Sequence, residues 1–253
     1  MAPVVWTEIK PDSLACDLLL VRSVWDYHLR AQDFIRWIDA AVSRVPVLNP
    51  PEMVRWNMDK RYLRRIETAG FTVPKTVFLD EGTEADLAEV MHSGGFGETV
   101  VKPTISASAY ETRRIKQATP QQNEWLNAML ATRPMMVQEF IPEIQSGGEW
   151  SLIFAGMKFT HAAHKVPKAG DFRAQEEHGG LHKRGNPPKQ VLAMAQEILQ
   201  RFAPEATYCR VDLVMRGEYA TLMELELIEP LLHFELSPEA ADVMAKHLTA
   251  DEL

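Results

Sequence analysis

The residues best suited to chemistry gather near the C-terminus. Val211-Asp212-Leu213-Val214 and Met223-Glu224-Leu225-Glu226-Leu227-Ile228-Glu229-Pro230 flank a turn about Arg216-Gly217-Glu218. This pattern predicts a β-hairpin of 210–215 with 220–228. Alternate residues of a strand share a face, so Glu224 and Glu226 point the same way, and an in-register partner strand brings Asp212 to them. Three clustered carboxylates repel one another and are costly to desolvate. A divalent cation offsets both effects, and an all-oxygen site suits Mg²⁺ or Mn²⁺. The competing reading is a solvated strand face with ordinary surface acids. The interleaved Leu225, Leu227 and Ile228 look core-facing and count against it. Arg210 lies two residues before Asp212 and shares its face, where it either neutralises phosphate or pairs with a carboxylate. Glu229 reads as structural.

Such a metal usually serves phosphate, and lysines accompany it. Lys60 follows Asp59, and Lys102 ends the apolar run Val100-Val101. The small residues from Thr104 to Ala109 suit a flexible loop whose backbone N–H groups reach phosphate oxygens. Gln138-Glu139-Phe140-Ile141 runs from strand into turn, and such a connector offers an adenine ring backbone hydrogen bonds and an apolar wall; a plain buried strand is the alternative. Lys165 and Arg173 fall in the polar, Gly- and His-rich stretch 165–185, read as a long loop whose cations could steady a transferring phosphoryl group. Arg22 closes a short apolar strand and, with Ser23 and Asp26, is expected at the substrate pocket, because ligands gather at the carboxyl ends of parallel strands. Its alternative is a brace between Arg22 and Asp26. Trp25, Trp37 and Trp56 read as core. His161, His164, His178 and His182 have no compact zinc spacing, and Cys209 reads as buried and inert.

The elements that must position these groups alternate between strand and helix. Strands are expected at 18–21, 45–48, 76–79, 99–102, 113–115, 135–140, 151–154 and 158–163. Helices are expected at 31–44, 58–69, 83–92, 120–131, 187–202 and 237–248, with a Pro-rich turn through Pro50-Pro51. The chain has 253 residues, a 46% hydrophobic share and a formal net charge of −8. It is ordinary for a globular protein, and it lacks the basic field that draws proteins to nucleic acid or anionic lipid. No apolar run is long enough to span a membrane. Two cysteines exclude a disulfide scaffold, and the N-terminus has no signal-peptide pattern, so a reducing cytoplasm is expected.

The order of these features along the chain resembles the ATP-grasp superfamily, from about Asn49 to beyond Pro230. The resemblance implies an α/β fold of two α+β lobes gripping ATP, here with a shortened N-terminal α/β subdomain. Its division is 1–55 for that subdomain, 56–141 for the small lobe and 142–253 for the C-terminal lobe with the metal site. It implies ATP contacts for Lys60, Lys102, Gln138, Glu139, Phe140, Ile141 and Glu149, and Mg²⁺ or Mn²⁺ on Asp212, Glu224 and Glu226; Lys165, Arg173 and Arg210, read above from charge and position, are the candidate catalytic cations. The usual last metal ligand of the superfamily is Asn; here it is Glu226. Arg22-Ser23-Val24-Trp25-Asp26-Tyr27-His28, Trp56-Asn57-Met58-Asp59-Lys60, Lys165-Val166-Pro167-Lys168 and Gly170-Asp171-Phe172-Arg173-Ala174-Gln175 are similar to the D-cycloserine-forming cyclo-ligase subgroup and, more loosely, to the ATP-binding half of bacterial glutathione synthetases. The implied activity is ADP-forming ligation. A carboxylate of a small amino-acid-like substrate becomes an acyl phosphate that a nitrogen attacks, as in cyclisation of O-ureido-D-serine to D-cycloserine. Intermolecular carboxylate–amine ligation and a non-catalytic nucleotide-binding protein are the alternatives. A homodimer is compatible with the superfamily.

Overall fold

A computed structural model describes residues 2–168 and 179–249. The chain opens with a small α/β unit. Strands β1 (Leu19–Leu20) and β2 (Val47–Leu48) pair in parallel, joined through helix α1 (Ala31–Val42). Phe34, Ile38 and Ala41 recur at helical spacing and form the fully buried stripe of α1.

Pro50-Pro51 does not end in a turn. Pro51 is the first residue of helix α2 (Pro51–Met58), where its missing N–H would have had no intrahelical partner. The expected helix 58–69 is accordingly shorter, α3 (Tyr62–Thr68), and Asp59-Lys60-Arg61 separate the two. Asp59 is extended there, and its carboxylate accepts from the backbone N–H of Arg61 at 2.9 Å and from that residue's guanidinium at 2.9 Å.

Next comes a four-stranded antiparallel sheet. It contains β3 (Thr76–Leu79), β4 (Thr99–Pro103), β5 (Arg113–Ile115) and β6 (Met135–Glu139) in the order β3-β6-β4-β5. Helices α4 (Leu87–Gly94) and α5 (Pro120–Leu130) back it, burying Leu87, Val101, Ile115, Leu126, Leu130, Met135 and Val137 together. Helix α4 begins at Leu87 rather than 83, because Asp86 caps it by accepting from the N–H groups of Ala88 and Glu89. A capping box of Thr119 with Gln122 starts α5.

After the short helix α6 (Glu143–Gly147) come β7 (Glu149–Ala155), β8 (Lys158–Val166), β9 (Leu181–Gly185), β10 (Tyr208–Arg216) and β11 (Tyr219–Glu226), a five-stranded sheet ordered β11-β10-β7-β8-β9. In β7 the pleat sorts side chains by parity. Leu152 and Phe154 enter the core under helix α7 (Lys189–Phe202), whereas Ile153 and Ala155 face Met244 of helix α8 (Pro238–Thr249).

The expected long loop 165–185 is corrected at both ends. Lys165 and Val166 complete β8, and β9 pairs with Ala162–Val166. Its sequence, Leu-His-Lys-Arg-Gly, has no apolar alternation because it lies at a sheet edge with little to bury.

β11 is the opposite edge, and side chains from α2 and α3 cover it. Asn57 Nδ2 donates to Leu225 O at 2.8 Å and Asn57 Oδ1 accepts from Leu227 N at 2.9 Å. Tyr62 Oη accepts from Leu225 N at 2.9 Å. Deeper in, Asn49 is fully buried and bonds Thr207 N, Tyr208 O and Leu227 O. These contacts fix the small N-terminal unit and α2–α3 against the strand that carries the acidic residues.

Candidate active site

The four- and five-stranded sheets face one another across a cavity of about 470 Å³. Its wall includes Lys60, Lys102, Gln138, Glu139, Phe140, Ile141, Glu149, Lys165, Arg210, Asp212, Glu224 and Glu226. Residues scattered over more than 160 positions of sequence are thus brought to one cleft. Arg173 lies outside the described residues, as does His178.

The hairpin register decides the acidic face. Asp212 stands opposite Glu224, and Arg210 opposite Glu226. Immediately beyond, the register shifts between Asp212 and Leu213, so that Leu213 pairs with Leu222 and Met223 is left as the extra residue of a bulge. The bulge bends β11 just where its acids begin.

Each of these carboxylates meets a cation. Arg210 contacts Asp212 through Nε at 3.0 Å and Nη2 at 3.0 Å, and Nη2 also reaches Glu226. Ser151 Oγ donates to Asp212. Lys102 Nζ meets Glu224 at 2.7 Å. Lys165 Nζ bridges Glu149 at 2.5 Å and Asp212 at 3.6 Å, and it is 5% exposed, a buried strand residue rather than a solvated loop lysine. Lys60 Nζ donates to Ser106 O at 2.7 Å, tying the small-residue loop over the cleft. That loop is conformationally unusual, with Ser108, Ala109 and Glu111 all at positive φ.

Sharing cations sets the protonation pattern. Burial would push the Asp212 carboxyl up, but Arg210 and Lys165 outweigh it and hold the group well below the usual range. Burial likewise opposes ionisation of Glu224, and Lys102 with Lys60 brings it down to about 2. Glu226 goes the other way. Burial, together with repulsion from Asp212 and Glu224, pushes it up to about 7 in spite of its ion pair with Arg210. The guanidinium is spent chiefly on Asp212, so Glu226 is the carboxylate that takes a proton. Glu229 is pushed up to about 8 by burial and by the charge of Glu226. Lys165 is held protonated by Asp212 and Glu149, which outweigh its own burial.

Among the described residues no three His, Cys, Asp or Glu side chains stand as a ready-made metal cluster. Asp212, Glu224 and Glu226 each meet a cation instead, Arg210 being shared by Asp212 and Glu226. The donor chemistry nevertheless fits a hard divalent ion. Asp212, Glu224 and Glu226 offer oxygen only, and six carboxylates line the cleft against four lysine and arginine cations. His161 and His164 form no zinc site: His161 Nε2 hydrogen-bonds to His233 O at 3.1 Å and His164 stacks on Trp150.

At the opposite end, Gln138 Nε2 donates to Thr76 Oγ1 at 3.0 Å, and Glu139 Oε1 accepts from Arg216 Nη1 at 2.9 Å. The Arg114 guanidinium lies 3.7 Å over the Phe140 ring. Ile141 is buried and supplies an apolar surface beside them.

Arg22, Ser23 and Asp26, expected at the substrate pocket, are not among the residues lining this cavity. Arg22 Nη1 donates to Pro230 O at 3.0 Å, with its guanidinium 5.0 Å over the Tyr208 ring, and Asp26 accepts from Trp6 Nε1 at 2.9 Å. A cation at the end of β1 is drawn to the backbone turn beside it. Trp25, expected in the core, is 48% exposed and lines the cleft instead, its Nε1 donating to Glu229 O at 3.0 Å. Trp37 and Trp56 do pack against the cores. Cys209 is buried, as expected, and burial pushes its thiol far up. Glu229, read as structural from the sequence, also lines the cleft, as do Tyr27, Asn57, Tyr62 and His233, to which the sequence assigned no site role. The only signal for Glu229 was its place three residues beyond Glu226.

Two α+β sheets gripping a cleft lined by lysines on one side and a carboxylate hairpin on the other define an ATP-dependent carboxylate–amine ligase of the ATP-grasp type. Residues 68–224 match the prokaryotic glutathione synthetase ATP-grasp domain, and the chain belongs to that family. Residues 1–49 match the N-terminal domain of D-cycloserine synthetase DcsG. Among characterised proteins, the chain is 25% identical over 259 residues to the cycloserine biosynthesis protein DcsG of Streptomyces lavendulae, covering 93% of this chain and 83% of that one. It is 26% identical over 145 residues to the glutathione synthetase of Bordetella pertussis, covering 56% of this chain and 45% of that protein. The crystal structure of D-cycloserine synthetase DcsG superposes with a TM-score of 0.82 at 22% identity, over 97% of this chain and 84% of that one. D-alanine–D-alanine ligase from Bacillus anthracis gives 0.65 at 16% identity, over 96% and 81%. Among the described residues no helix is long and apolar enough to cross a membrane.

Proposed function

We propose that this ligase closes a small amino-acid-like substrate on itself, converting O-ureido-D-serine to D-cycloserine. The observation that carries the ligase chemistry is the in-register hairpin, which turns Asp212, Glu224 and Glu226 toward Lys102, Lys165 and Arg210 in one cleft. The similarity to DcsG across both the N-terminal unit and the ATP-grasp region supports the cyclising substrate.

In this reading Gln138, Glu139, Phe140 and Ile141 seat the adenine, with Glu149 toward the ribose. Lys60 and Lys102 take the phosphates, and Mg²⁺ or Mn²⁺ rests on Asp212, Glu224 and Glu226. The ion supplies charge neutralisation on the transferring phosphoryl group. A substrate carboxylate oxygen attacks the γ-phosphorus, and ADP leaves. The substrate nitrogen then attacks the acyl carbon, inorganic phosphate leaves with the bonding electrons, and the proton shed by the nitrogen is carried off on that phosphate. Arg210 and Lys165 hold positive charge beside the developing oxyanion. When nucleophile and acyl group share one molecule, their effective concentration is high and ring closure needs no second substrate.

ADP release with Mg-ATP and a panel of amino acids including O-ureido-D-serine tests this reading. Release stimulated by O-ureido-D-serine alone is expected. Release that requires two separate substrates would replace cyclisation by intermolecular ligation, the chemistry of the glutathione synthetases the chain also matches. Tight nucleotide binding with no turnover on any candidate would remove the enzymatic reading.

A further inference from the structure

We propose that Glu229 is the acceptor-side anchor of the cleft, its carboxylate taking the cationic ammonium group of an α-amino acid against the aromatic faces of Trp25 and Tyr27. The inference rests on the ligase reading above and names the chemistry its substrate must carry.

Glu229 is only 9% exposed, yet it lines the cleft. Among the described residues its carboxylate has no hydrogen bond or ion pair. Every other acid on the wall has one: Glu139 with Arg216, Glu149 with Lys165, Glu224 with Lys102, and both Asp212 and Glu226 with Arg210. Lys60, whose ammonium donates to Ser106 O at 2.7 Å, makes no ion pair with Glu229. A carboxylate taken out of water without a partner is strongly disfavoured, and a ligand cation arriving there removes that penalty.

The group is also held rigidly. Glu229 O accepts from Trp25 Nε1 at 3.0 Å and Pro230 O accepts from Arg22 Nη1 at 3.0 Å, so two side chains of the N-terminal unit pin the turn that carries the carboxylate. Arg22 thereby acquires a role, as a positioning residue for Glu229. Trp25 and Tyr27 lie on the same wall, and aromatic faces favour an ammonium ion over a neutral group of the same size. Glu229 follows Glu226 by three residues. Glu224 and Glu226 line the same cleft, where phosphorylation of the amino acid's carboxylate is proposed.

The test compares the wild-type chain with Glu229→Gln and Glu229→Asp. Mg-ATP affinity is measured by calorimetry, KM and kcat by ADP release with O-ureido-D-serine. In parallel, saturation-transfer NMR compares D-serine with D-glycerate, in which a hydroxyl replaces the amine. Glu229→Gln is expected to raise KM at least tenfold and change kcat less than threefold, with Mg-ATP affinity within twofold and the preference for D-serine lost. Glu229→Asp, which keeps the charge, is expected to recover part of that preference. An unchanged KM, an unchanged preference for D-serine, or an equal loss of Mg-ATP affinity would overturn the assignment. Should no candidate release ADP, the ligase reading fails, and the D-serine to D-glycerate comparison decides the fate of Glu229 by itself. If the Gln variant does not fold, Glu229→Ala carries the same comparison: D-serine preference unchanged without the carboxylate would overturn the proposal.

Discussion

Replacing Asn57 by Leu tests whether the acidic hairpin is held in place from outside the sheet. β11 is an edge strand, and Asn57 satisfies two of its outward-facing backbone groups, Leu225 O at 2.8 Å and Leu227 N at 2.9 Å. Both flank Glu226. Leucine has the same number and branching of side-chain heavy atoms as asparagine, though it is bulkier, and it can satisfy neither group in this buried site. Leaving a buried donor or acceptor unpaired costs about 1–3 kcal/mol each, so the pair amounts to roughly 2–6 kcal/mol. At about 2–4 °C per kcal/mol for a domain of this size, the midpoint should fall by roughly 4–24 °C. Differential scanning calorimetry of the chain without nucleotide measures this, with Glu52→Ala, an exposed change on the same helix, as the control. Freed from its clamp, β11 should also require more Mg²⁺ for half-maximal ADP release. A midpoint within 2 °C of wild type would show that solvent satisfies these groups and that α2 does not hold the strand.

Glu224→Gln should abolish ADP release while circular dichroism remains that of a folded chain, because the side chain faces the cleft rather than a core; normal turnover would remove Glu224 from the metal assignment. Lys165→Met should destabilise the chain by about 3–5 kcal/mol in urea unfolding, since it strips Glu149 of its buried partner; a loss below about 1 kcal/mol would mean that water reaches the pair. The pH dependence has a defined sign. Glu229 is pushed up to about 8 in the folded chain, above its unfolded value near ~4.3. The folded state therefore keeps a proton that the unfolded chain releases. That stability is complete below the unfolded value and is lost as pH rises through about 8, with Glu226, at about 7, adding to the loss. The melting midpoint of the ligand-free chain should fall between pH 5.5 and 8.5, and less steeply in Glu229→Gln. An equal slope in that variant would discount the carboxyl.

The mixed architecture and the acidic hairpin were legible in the sequence because both depend on short-range rules. The apolar stripes of α1 and α7 repeat at helical spacing, Thr119 and Gln122 announce α5, and the period of two in β11 puts Glu224 and Glu226 on one side whatever the rest of the chain does. Three things depended on long-range packing. β9 has no apolar alternation, and pairing with β8 alone makes it a strand. Lys165 reads as a loop residue until Glu149 and Asp212 close around it. Arg22 carries the right charge at the right strand end, but the nearby Pro230 carbonyl and Tyr208 ring claim it, and Trp25 and Glu229 take the cleft wall instead. Residue type and local period determine which groups can ionise and which face of their own element they occupy. Which charges meet, and so which carboxylate is left without a partner, is decided only when distant segments pack and compete for the same few cations.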